Sequence, residues 1–140
     1  STLQLIDAIP ELRFSADLSH YVVDREFELP VRAEAQGWIT RVLDRSDSFQ
    51  GRVATGQHIQ VPIDFPQHRP WLDQFTAWWS QGFASWRRRH SDEDDVVFLC
   101  ELAPTKYAIT GRDGLELSDR WEEAGMLKRI AEQCWAESAG

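Results

Sequence analysis

The chain has 140 residues, 42% of them hydrophobic and 27% charged, which is the composition of a water-soluble globular domain with one core rather than of a disordered segment. A net charge of -8 argues against a general nucleic-acid binder, because phosphate recognition draws on clustered Lys and Arg. No apolar run approaches the roughly 18 residues a membrane helix needs, so a membrane protein is not expected either.

Thr2 to Ile9 carries Leu3, Ile6 and Ala8 at helical positions and is closed by Pro10, which reads as the last turns of a helix. From Leu12 to Val23 the pattern alternates, with Leu12, Phe14, Ala16 and Leu18 on one side; this predicts a strand with Asp17 near its carboxyl end. After Pro30, Val31, Ala35, Trp38 and Val42 recur at helical spacing beside Ile39 and Leu43, so an amphipathic helix follows. Asp44 to Ser46 form a turn. Ser48 to Ala54 is short and strand-like, and a polar loop with His58 leads into a connection marked by Pro62, Pro66 and Pro70, with His68 inside it as an exposed loop residue.

Leu72, Phe75, Trp78, Trp79, Gly82, Phe83 and Trp86 then share one helical stripe. Repetition at helical spacing makes these aromatics core or interface rather than a sugar-stacking platform, and Gly82 among them signals a close neighbour. The helix ends near His90. Arg87, Arg88 and Arg89 read as its solvated end, where cations offset the negative end of the macrodipole. Val96 to Cys100 is continuously apolar, as in a parallel strand covered on both faces, and Arg120 to Glu137 forms a last helix. Cys100 and Cys134 have no C-x-x-C spacing, so neither a disulfide framework nor a thiolate zinc site is expected, and a cytoplasmic location fits better.

Helices long enough to cross over separate the three strands, so the strands should run parallel. Functional groups of α/β folds gather at strand carboxyl ends. Alternation places Ser15 and Asp17 on one face of the first strand, Ser48, Gln50 and Arg52 on one face of the second, and Val97, Leu99 and Glu101 on one face of the third. If these faces agree, Asp17, Gln50, Arg52 and Glu101 converge. With His20 they form an oxygen-rich set suited to Mn2+ or Mg2+ rather than zinc. The plainer reading makes Asp17 and Glu101 helix caps or surface residues, and lets Arg52 pair with an inward carboxylate.

Three motifs bear on that choice. Asp17-Leu18-Ser19-His20-Tyr21, preceded by Ile9-Pro10-Glu11-Leu12, resembles the P-x-L … D-x-S-H-W segment of the xylose-isomerase-like sugar phosphate isomerase/epimerase superfamily. Phe49-Gln50-Gly51-Arg52-Val53, with Gln60 downstream, is similar to its H-x-R-V … Q strand. Glu101-Leu102-Ala103-Pro104 with Tyr107 is similar to its last strand, E-F-G-P-x-x-Y, and Trp121 follows in place. The three cover nearly the whole chain in order.

The resemblance implies an α/β chain forming the C-terminal half of a (β/α)8 TIM barrel, roughly strands six to eight, with residues 1–140 as one half-barrel unit. It implies a divalent-metal-dependent isomerase or epimerase acting by proton transfer next to a carbonyl. Carried over by position, Asp17, Gln50 and Glu101 stand as metal ligands, His20 and Arg52 as catalytic and substrate-contacting residues, and Tyr107 as a lining of the substrate cavity, with Lys106 beside it. Two departures weigh against catalysis. Gln50 replaces a metal-binding His, and the family's Glu on strand five has no counterpart here. The alternative is a non-catalytic subunit or degenerate barrel that binds a partner or a small sugar-like ligand. Either reading calls for a complementary N-terminal half-barrel chain or a homo-oligomer. An abasic-site endonuclease on the same superfold would need further His ligands that are absent.

Overall fold

A computed structural model describes residues 1–139. The elements are α1 (Thr2–Ala8), β1 (Phe14–Ala16), α2 (Leu18–Asp24), α3 (Ala33–Leu43), β2 (Ser46–Gly51), α4 (Arg69–Arg89), β3 (Val97–Cys100) and α5 (Arg120–Glu137), with a 3₁₀ turn at Pro66–His68. The strands form one parallel sheet in the order β1-β2-β3. Parallel pairing demands crossovers, and the α2–α3 and α4 segments supply them.

The sheet has two unlike faces. Ala16, Phe49, Phe98 and Cys100 turn towards the helices, where Phe49 and Phe83 meet edge to face at 5.2 Å and Phe98 meets Trp79 in the same way at 5.2 Å. The aromatic stripe of α4 fills this layer: Phe75, Trp78, Trp79 and Phe83 are almost wholly buried. Gly82 lets α4 lie close to the sheet, since a β-carbon there would stand 2.6 Å from the Phe49 ring. The opposite face carries Ser15, Ser48, Gln50, Val97 and Leu99 and is open. Val97 and Leu99 are 60% and 54% exposed, although the same strand buries much of Phe98 and Cys100.

Several expectations change. The first predicted strand, Leu12 to Val23, is a strand only over Phe14–Ala16; from Leu18 the chain is helical. Asp17 switches it by accepting from the Ser19 amide at 3.1 Å as the cap of α2, and Leu18 and Val22, four residues apart, then bury together. The helix expected from Val31 begins at Ala33, with Arg32 as its cap residue. The second strand starts at Ser46 rather than Ser48, because the Ser46 hydroxyl donates back to the Val42 carbonyl at 2.8 Å and closes the helix without a longer turn, and it ends at Gly51 rather than Ala54. The third strand is covered on one face only, where its continuous apolar run had suggested two.

The basic run at the end of α4 is not a solvated tip. Arg87 lies 3.4 Å from the centre of the Trp135 ring and donates to the Trp135 carbonyl and Ser138 at 2.9 Å. Arg89 donates to the Ser46 carbonyl at 2.7 Å and to Asp47 at 3.0 Å, tying α4 to the start of β2. Only Arg88 is exposed. His68, expected as an exposed loop residue, is partly buried, its Nδ1 2.7 Å from the Pro62 carbonyl and its ring stacked on Phe65.

Candidate functional site

The site lies where the three strands end. In the sheet register Gln50 pairs with Leu99 and Gly51 with Cys100, which sets Arg52 beside Glu101, and the Glu101 amide donates to the Gly51 carbonyl at 3.0 Å. Ala16 pairs with Phe49, which brings Asp17 to the same level on the other flank. The polypeptide thus delivers an acid, a guanidinium and a second acid side by side.

Arg52 is the centre of the cluster and is 3% exposed. Its Nη2 pairs with Asp17 Oδ2, and its Nε donates to the Ser19 hydroxyl at 3.0 Å. Ser19 in turn donates to Asp17 Oδ1 through its hydroxyl and its amide. Both Asp17 oxygens are therefore engaged by hydrogen bonds, and the ion pair is completed in a dry setting, where a lone carboxylate would be costly. His20, mostly exposed, reaches over the pair with Nε2 3.2 Å from Arg52 Nη2 and 3.3 Å from Asp17 Oδ2. In one tautomer Nε2 accepts from the arginine; in the other it donates to the carboxylate.

The outward side of Arg52 is less committed. Nη1 stands 3.7 Å from Glu101 Oε1, too far for a direct hydrogen bond, and the Tyr107 ring centre is 5.9 Å from the guanidinium carbon. The Glu101 side chain is 36% exposed and Tyr107 is exposed, so this side opens to solvent. Gln60, 5% exposed, pins the loop after β3: its Nε2 donates to the Ala103 carbonyl and its Oε1 accepts from the Ala103 amide, both at 2.9 Å. That two-way amide clamp sets the path from Glu101 to Tyr107.

The structure therefore brings together Asp17, His20, Arg52, Glu101 and Tyr107, while Gln50 turns aside and donates to the Ser15 hydroxyl at 3.4 Å. The expected metal set of Asp17, Gln50 and Glu101 does not fit a divalent cation as folded. A buried guanidinium holds Asp17 where the ion would sit, and Gln50 is used elsewhere. Among the described residues no three His, Cys, Asp or Glu side chains converge on a point.

Sequence reasoning gave no role to Ser19 or Glu123. Ser19 stands in the D-x-S-H segment, and a hydroxyl two residues after a capping Asp was a usable signal. Glu123, 4% exposed, accepts from the Ile63 amide at 3.0 Å and from the Ser118 hydroxyl at 3.0 Å. Burial pushes its carboxyl up from its ordinary value, with the two hydrogen bonds and Arg120 opposing and Asp64 adding to the rise.

No helix is long and apolar enough to cross a membrane among the described residues. No family model, curated protein or solved structure matches the chain.

Proposed function

We propose that this chain is part of a (β/α)8-type barrel, similar to its C-terminal half, that has exchanged metal catalysis for ligand and partner binding. The observation carrying the reading is the buried Arg52–Asp17 pair at the strand ends, on the same side of the sheet as the open face of Val97 and Leu99. A barrel interior has this character: one sheet face against helices, the other against strands from across the barrel. The remaining strands come from a complementary half.

The ligand that suits the site is a neutral polyol. Asp17, Arg52 and Glu101 sum to one negative charge, which disfavours a phosphate ester. A hydroxyl placed between Arg52 and Glu101 can accept from Nη1 and donate to the carboxylate, and the Tyr107 ring offers an apolar flank for a sugar carbon. Calorimetric titration with a neutral pentose and with its phosphate ester tests this. Weak binding of the neutral sugar, lost in Arg52→Met, supports the reading; preference for the phosphate ester contradicts it.

The isomerase reading keeps one observation of its own. His20 is exposed beside Asp17 at the open side, where a proton acceptor would be wanted. As folded, the residues do not fit the required metal, because Arg52 occupies Asp17 and Gln50 bonds Ser15. Deuterium uptake next to the carbonyl of a pentose incubated with the chain and Mn2+ in heavy water would establish catalysis.

A further inference from the structure

β3 is the outer strand of the sheet on one side. The Glu101 amide points into the sheet towards Gly51, and backbone groups alternate along a strand, so those of Phe98 and Cys100 face the free edge. Natural sheets blunt such an edge with charge, proline, a bulge or a cover. Val97 to Cys100 has none of these within it.

The surroundings of the edge are shaped on both sides. On the helix side lies a cavity of about 330 Å3 between β3 and α5, lined by the apolar Phe83, Phe98 and Trp135 and by the charged Asp94, Asp95, Lys128 and Glu132. On the other side Val97 and Leu99 are exposed. Ahead of the strand the chain is acidic from Asp92 to Asp95, and all four of these side chains are exposed. The edge of β1 is a poorer acceptor. It is three residues long, with Ser15 exposed on the open face and the engaged Asp17 at its end.

We propose that the β3 edge accepts a parallel strand from a partner polypeptide. Apolar side chains at alternate positions of that strand enter the cavity beside Phe98 and Trp135, and the side chains between them cover Val97 and Leu99. One or more Lys or Arg residues ahead of the strand meet Asp94 and Asp95. Main-chain hydrogen bonds to Phe98 and Cys100 supply affinity, and the cavity and the acidic run supply choice of partner. A second copy of the chain is the lesser candidate, because it would bring a like acidic run and another net charge of -8. The proposal rests on the partner-binding part of the reading above and is independent of what occupies the Arg52 site.

The test uses the full chain as bait for a displayed library of random twelve-residue peptides, followed by residue-resolved amide exchange with an enriched peptide. Enriched peptides carry apolar residues at every second position and a basic residue ahead of them. They slow exchange at Phe98 and Cys100 while leaving Leu99 and Glu101, already bonded to β2, little changed. Asp94→Asn with Asp95→Asn weakens binding by about fivefold at low salt. Absence of enrichment, or protection away from β3, overturns the proposal. Protection of Phe98 and Cys100 that grows with protein concentration without peptide also overturns it, in favour of a second copy. Pentose binding at Arg52 is measured separately, so the failure of one leaves the other standing.

Discussion

At the scale of single residues, the Arg52–Asp17 pair decides what the strand ends can do. Breaking a buried pair strands an uncompensated charge, so Arg52→Ala should lower stability by about 3–5 kcal/mol in denaturant unfolding. Asp17→Asn with Arg52→Met should lose less than the sum of the two single changes, because the second removes the charge that the first leaves unpaired. The same pair predicts weak metal binding. Calorimetry with Mn2+ should show no submicromolar site, and a tight site that survives Asp17→Ala would mean that other residues hold the ion. Much of this cluster was legible in the sequence. The alternation phases put Asp17, Gln50, Arg52 and Glu101 on one face; the structure brings Asp17, Arg52 and Glu101 together, while Gln50 turns aside to Ser15. What spacing could not reveal is which charges neutralise one another. Alternation fixes a face, but it does not show that Arg52 pairs directly with Asp17 and bonds Ser19 beside it.

At the scale of elements, the helices were the more legible part. The stripe from Leu72 to Trp86 buries as its period implies, and Gly82 marks the close approach to Phe49. Gly82→Ala should therefore destabilise by about 1–3 kcal/mol despite the better helix propensity of alanine, because the new methyl group meets the Phe49 ring. The strand boundaries were less legible. Alternation through Leu18 mimicked a longer strand, and the capping carboxylate of Asp17 outweighed it. Glu123 ties α5 to the segment at Ile63, and its raised carboxyl pKa makes that tie depend on pH. A carboxyl raised by folding stabilises the fold below its unfolded value, and that contribution is lost as pH rises through the folded value. Glu123→Gln keeps an acceptor for the Ile63 amide without the buried charge. Its melting temperature relative to the parent should accordingly be higher at pH 8 than at pH 4. An equal difference at both pH values would show that Glu123 does not titrate as its burial implies.

At the scale of the molecule, the open sheet face separates this chain from a closed α/β domain. If Val97 and Leu99 face water while Phe98 faces the core, Leu99→Thr should change stability by no more than about 0.5 kcal/mol, and Phe98→Ala should cost about 3–5 kcal/mol. Similar losses at both positions would mean that the face is already covered. A short apolar run cannot report which of its faces is covered, because periodicity is silent when every residue is apolar. The strand ends around Arg52 are proposed to bind a neutral polyol without a metal. That binding is tested most directly by following the side-chain NMR signals of Arg52, His20 and Tyr107 while a neutral pentose is added, with and without Mg2+. Saturable shifts confined to these groups are expected, with affinity in about the millimolar range for a half-enclosed site, and the same in both conditions. Shifts that appear only with Mg2+, or none at these residues, would contradict metal-free binding there.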